Sequence, residues 1–113
     1  MMIYKILSGR EWKGALAAGV FEGSPADLRD GFIHFSTAGQ LRETARRHFA
    51  GQTDLMLLVV PAEALGGALT WEPSRGGELF PHLYAPLACA AVVDARSAPI
   101  GAGGEHDLGD LVP

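Results

Sequence analysis

Apolar and polar positions along the chain sort into a series of short elements. Residues 2–7, Met-Ile-Tyr-Lys-Ile-Leu, have strand composition, with Ile3 and Ile6 flanking Tyr4 and Lys5. Ser8 or Gly9 then caps a helix over residues 11–18, with Trp12, Ala15, Leu16 and Gly19 at helical spacing and Gly19 as its stop. Residues 20–30 hold turn formers throughout and predict a loop. Residues 31–35, Gly-Phe-Ile-His-Phe, predict a short buried strand. Phe32 and, less strictly, His34 share one face, while Gly31, Ile33 and Phe35 share the other. Ser36 or Thr37 supplies the N-cap of a helix over 38–49, with Leu41, Ala45 and Phe49 on its core stripe and Arg42, Glu43, Arg46 and Arg47 largely outside.

The clearest buried strand is 54–60, Asp-Leu-Met-Leu-Leu-Val-Val. Pro61 to Leu65 suits one helical turn with proline at its first position. Residues 68–72 and 79–84 read as strands around a 73–77 loop, and 88–95 as the last strong strand. From 97 to 113 glycines and scattered acids predict a loose tail beyond a single domain over 1–96. The order βα, βα, then several strands predicts an α+β fold with two main helices and a mixed or antiparallel sheet.

At 113 residues the chain is long enough for one core and too short for two. A net charge of −4 gives no field that would draw the whole chain to nucleic acid or anionic lipid. Arg42, Arg46 and Arg47 still form a local basic group on one helix. Cys89 is the single cysteine, so no internal disulfide forms, and Leu-Ala-Cys-Ala-Ala-Val-Val marks it as a small core residue. No stretch resembles a signal peptide or a membrane span of ~20 apolar residues. A soluble cytoplasmic protein is the expectation.

Candidate chemistry concentrates in two stretches. In the first, His34, Ser36, Thr37 and Gln40 stand at a strand end beside free helix N–H groups, a place suited to an anionic or polyhydroxylated ligand. In the second, Glu72 ends a strand and Arg75 lies in a glycine-flanked loop, where its forked donors can grip phosphate or carboxylate. His82 and Tyr84 alternate with Leu83 and share a strand face. Each residue also has a structural explanation. Glu72 can pair with Arg75, His34 can be a satisfied core histidine, and Ser36 and Thr37 can be helix caps. His34, His82 and Glu72 would make three metal ligands by type, but no His-x-x-x-His or Cys-x-x-Cys spacing supports them and no metal is assigned. Gly-x-Ser-x-Gly, a Walker-type loop and a dinucleotide-binding glycine motif are absent.

Ile-Tyr-Lys-Ile near the start, Trp12 with Ala15 and Gly19, Gly-Phe-Ile-His-Phe-Ser-Thr with Gln40, Trp71-Glu72 and Phe80-Pro81-His82-Leu83-Tyr84 together resemble a small bacterial family. It is known as domain of unknown function number nine hundred and fifty-two, and the resemblance spans residues 2–94. It implies a fold like that of the ADP-ribosyltransferases, a split, mixed β-structure that holds NAD in a cleft. In that group a His or Arg on the first strand contacts the nicotinamide-side ribose, and a hydroxyl-bearing strand lines the cleft. A late Glu stabilises the oxocarbenium-like ribose. On this chain those positions fall near Lys5, at Ser36 and Thr37, and at Glu72. Related sequences often carry His at position 5, and a lysine cannot accept a hydrogen bond.

The expectation is therefore a cleft for NAD or another nucleotide-like ligand, with Glu72 as the acid and Arg75 on phosphate. His34 and His82 would bond ribose hydroxyls, Tyr84 would stack or bond, and Ser36, Thr37 and Gln40 would line the site. The alternative is a non-catalytic ligand-binding or protein-interaction module.

Overall fold

A computed structural model describes residues 1–109. The central sheet is β1 (Met2–Ser8), β4 (Leu55–Pro61) and β8 (Asp94–Ser97), with β4 in the middle and both pairings antiparallel. Both of its faces are covered. Ile3, Leu7, Leu58 and Val60 point into one core with Ile33, Phe35, Leu83 and Leu87. Tyr4, Ile6, Leu57 and Val59 point into a second with Leu41, Ala45, Ala98 and Leu108, so the sheet divides between its two faces the single core expected from the length. Two-sided burial explains why β4 reads as an unbroken apolar run rather than an alternating one. Each buried leucine or valine contributes roughly 1.5–3 kcal/mol through area removed from water.

α1 (Gly9–Ala18) follows β1 directly. Ser8 is its N-cap, and the cap is reciprocal: Ser8 Oγ accepts from the Glu11 N–H at 3.0 Å, and Glu11 Oε1 accepts from the Ser8 N–H at 2.9 Å. α3 (Ala38–His48) is capped at Thr37, whose N–H donates to Gln40 Oε1 at 3.0 Å. Its Leu41 and Ala45 cover the second core, and Glu43 pairs with Arg46 and Arg47 outside.

The stretch expected as a loop, 20–30, contains β2 (Val20–Phe21) and a six-residue helix, α2 (Pro25–Asp30). Ser-Pro-Ala-Asp starts that helix: Ser24 is the cap, Pro25 opens the first turn, and Asp27 Oδ2 accepts the Ser24 N–H at 2.9 Å. Gly31 ends it in the left-handed region (φ 88°), where its N–H reaches the Asp27 carbonyl at 2.8 Å.

β3 (Ile33–His34) is shorter than the predicted 31–35 strand and pairs antiparallel with β6 (Leu79–Leu83). β5 (Leu69–Pro73) pairs with the other side of β6. Two backbone bonds between Tyr4 and Ser36, 2.8 and 2.9 Å, tie this second sheet to the edge of β1.

The last predicted strand, 88–95, is divided. β7 (Leu87–Ala88) pairs with β2, a 3₁₀ turn over Cys89–Ala91 intervenes, and β8 follows. Another 3₁₀ segment, Ala62–Ala68, occupies the place of the single turn after Pro61. Cys89 is half-buried, its thiol donating to the Ala15 carbonyl at 3.3 Å.

The expected loose tail from 97 onward folds back as far as it is described. Ala98 and Leu108 are buried, and His106 Nε2 lies 2.8 Å from the Gln52 carbonyl. Residues 110–113 of that tail lie outside the described residues. The architecture is α+β. The named strand pairings are all antiparallel, so the sheet arrangement is not the mixed one that the resemblance implied. No helix among the described residues is long and apolar enough to cross a membrane.

Candidate functional site

The β3–β6–β5 sheet has one apolar and one polar face. Ile33, Leu83 and Leu69 point toward the first core. The alternate residues, which share the opposite face, include His34 on β3, Phe80 and His82 on β6, and Thr70 and Glu72 on β5. His34 and His82 are direct cross-strand partners. Two stretches distant in sequence therefore meet on one surface, and two different groups of side chains form there.

The first group is centred on Asp27, which is 2% exposed. Lys5, 5% exposed in the middle of β1, donates to both of its carboxylate oxygens at 3.0 and 2.8 Å. His34 approaches from the sheet: its backbone N–H is 3.1 Å and its Nδ1 2.6 Å from Asp27 Oδ1, while its Nε2 is 2.9 Å from Asp30 Oδ2. Both ring nitrogens of His34 therefore face carboxylate oxygens. Burial alone would push the Asp27 carboxyl up. The His34 bond, the charge and bond of Lys5 and the Ser24 N–H outweigh it and hold the pKa at about 2. Burial pushes the Lys5 ammonium down, against the opposing pull of Asp27.

The second group is centred on Glu72. Its Oε1 receives the Tyr84 hydroxyl at 2.7 Å and faces His82 Nδ1 at 2.8 Å. A carboxylate only accepts, so Nδ1 carries the proton. The Tyr84 bond, then the His82 bond, hold the Glu72 carboxyl below its ordinary range, and the same contact pushes the Tyr84 phenol up. Phe32 stacks on His82, with ring centroids 3.9 Å apart and planes 20° apart, and leans on Tyr84 at 5.3 Å. Glu72 Oε2 and His82 Nε2 have no hydrogen-bond partner among the described residues. His82 is only 5% exposed, and no fully buried side-chain polar atom there lacks a partner, so Nε2 sits where solvent or a ligand can touch it.

A hollow of about 360 Å³ adjoins this surface, lined among others by Glu22, Asp27, Phe32, Leu83, Tyr84 and Pro86. Of the candidate ligand-site residues, only Tyr84 lines it. A smaller hollow of about 80 Å³, between α3 and the returning chain, is lined by Arg42, Arg46, His106 and Leu108 among others, and by none of them.

The other predicted site residues have local structural work. Ser36 is buried, with its Oγ 2.9 Å from Thr44 Oγ1, and Thr37 caps α3. Gln40 is buried, and its Nε2 donates to Glu78 Oε1 at 2.8 Å and to the Leu79 carbonyl at 2.7 Å, tying α3 to the start of β6. The Arg75 guanidinium lies over the Phe80 ring, 4.8 Å from its centroid. His34, expected to bond ribose, has both ring nitrogens against carboxylates. Among the described residues no three His, Cys, Asp or Glu side chains are placed to hold a metal ion.

Asp27, and the stacking of Phe32 on His82, are what sequence reasoning missed. The signal for Asp27 was Ser24-Pro25-x-Asp27, a capping pattern that marks a helix start. For Phe32 the alternation gave the face it shares with His34, but not the partner strand that brings His82 under its ring.

The family described as "Protein of unknown function (DUF952)" matches residues 6–95, which is most of the chain. The chain belongs to that family. The matched region holds Asp27, His34, Glu72 and His82, while Lys5 lies just before it. The chain is also similar to protein CC0527 from Caulobacter crescentus. Its crystal structure is 53% identical, with a TM-score of 0.93 over 97% of this chain and 96% of that one. The solution NMR structure of the same protein is 53% identical, with a TM-score of 0.86 over 96% of this chain and 94% of that one. No match was found among curated proteins.

Proposed function

We propose that the Glu72–His82–Tyr84 face binds a ribose- or phosphate-bearing ligand of the NAD or nucleotide type, with ADP-ribosyltransferase-like chemistry at the anomeric carbon. The observation that carries this reading is the Glu72 carboxylate. Two groups engage one oxygen, the pKa is lowered, and Oε2 is left without a partner among the described residues. An ionised carboxylate fixed in this way is placed to stabilise the positive charge that develops on ribose as nicotinamide leaves. Preorganised groups of this kind act on charge that develops only in the transition state. The aromatic surface of Phe32 and Tyr84 suits a flat ring, and Arg75, over Phe80 on the same sheet, supplies the cation for phosphate.

A second reading, a module that binds a ligand without chemistry, is favoured by one observation. Lys5, at the first-strand position where the resemblance places a ribose contact, is buried against Asp27 and presents nothing to a ligand. Calorimetric titration of NAD and ADP-ribose, together with assay of nicotinamide release, decides between them. The first reading expects binding below millimolar concentration and release that falls at least about a hundredfold in Glu72→Gln. Binding with equal, background release in both proteins supports the module. Absence of binding at millimolar concentration rules out NAD.

A further inference from the structure

We infer that His82 is the general base of this site, its Nε2 taking the proton from a water that attacks the anomeric carbon. The inference rests on the ribosyl-transfer reading above and names the residue that completes it.

Three features of His82 support the role. Glu72 Oε1 fixes the tautomer, because Nδ1 must carry the proton that it donates at 2.8 Å. Phe32 stacks flat on the ring at 3.9 Å and holds its plane. Nε2, the remaining lone pair, has no partner among the described residues although the side chain is almost wholly buried. A base held by a carboxylate on one nitrogen and open on the other is the arrangement that general-base catalysis requires. His34 is the internal control. It shares the same face at a centroid distance of 5.6 Å, but both its nitrogens are engaged by carboxylates, so neither is open to a water.

The step balances without a further reactant. The bond between the anomeric carbon and the nicotinamide ring nitrogen breaks, and its electron pair leaves with nicotinamide. The water oxygen bonds to the carbon, and one water proton moves to His82 Nε2, from which it returns to solvent. Positive charge passes from the ribose to the imidazole, and Glu72 faces it in both places. The carboxylate therefore needs no reorganisation during the step.

His82→Asn tests this, because the amide keeps an N–H for Glu72 near the position of Nδ1 and has no atom at the position of Nε2. With NAD as substrate, the rate of nicotinamide release should fall about a hundredfold. The rate should fall by a larger factor than ADP-ribose affinity does, and added imidazole should restore part of the rate. Unchanged release overturns the base role while leaving the Glu72 chemistry standing. A wild-type protein that binds ADP-ribose but releases no nicotinamide overturns the base role and the ribosyl-transfer reading together. A second measurement does not depend on how the variant folds: nitrogen-15 NMR of the wild-type imidazoles should show His82 protonated on Nδ1 and bare on Nε2. The opposite tautomer contradicts the inference.

Discussion

His34 and His82 stand opposite each other on paired strands, yet their surroundings differ in kind. The His34 side belongs to a closed set of charges, Lys5 with Asp27 and Asp30, in which every ring nitrogen and both Asp27 oxygens are engaged. The His82 side is half satisfied: among the described residues Glu72 has one oxygen occupied and one open, and His82 has one nitrogen bonded and one bare. Residue types alone do not separate the two groups, since each has a histidine and a carboxylate. What separates them is the number of groups left without a partner. The saturated group holds α2 against the sheet, and the unsaturated one has capacity for a ligand.

The largest expected effect breaks the saturated group. Asp27→Ala leaves the Lys5 ammonium buried without its counter-charge and should cost about 3–5 kcal/mol in denaturant unfolding. Replacing both partners with apolar residues, Lys5→Met with Asp27→Leu, should recover the part of that loss due to the unpaired ammonium, but not the part due to the Ser24 and His34 bonds. A single-variant cost under about 1 kcal/mol would mean that water reaches Lys5 and the pair is not closed.

The next effect is on acid stability. The folded pKa of Asp27, about 2, lies below its ordinary value of 3.8. Its contribution is therefore fully present above pH 3.8 and is lost as pH falls through 2. The shift corresponds to roughly 2 kcal/mol. Urea unfolding followed across that range should show this slope in the wild type and a shallower one in Asp27→Ala. Equal slopes would contradict the origin assigned to it.

The smallest effect is that of Arg75→Ala. Loss of the guanidinium over Phe80 should cost about 0.5–1 kcal/mol of stability, well short of the Asp27 variant. A larger loss would move Arg75 from the surface group to the structural one.

The sequence made some of this contrast legible. The apolar run at 55–60, the helix with Leu41 and Ala45 inward, and the strand character of 79–84 follow from periodicity, because one buried face or two leave a direct mark on the pattern. The positions of His34 and His82 on strands were readable, but their register was not, since a shift of one residue would put either ring on the other face. Asp27 was hidden for a different reason. Its partners are Lys5 on another strand and His34 after a turn, and no local pattern records a pairing between residues that far apart. Ser36, Thr37 and Gln40 looked like ligand groups because capping and ligand binding call on the same side chains; only the bonds to Thr44, Glu78 and Leu79 distinguish the uses.

The central claim, that the unsaturated group and not the saturated one receives the ligand, is most directly tested by titrating labelled wild-type protein with ADP-ribose and following NMR shifts. The account predicts saturable changes at Phe32, Glu72, His82 and Tyr84, with Ser36 to Gln40 and Lys5 little affected. Shifts confined to the Arg42–Arg46 hollow, or none at millimolar ADP-ribose, would contradict it.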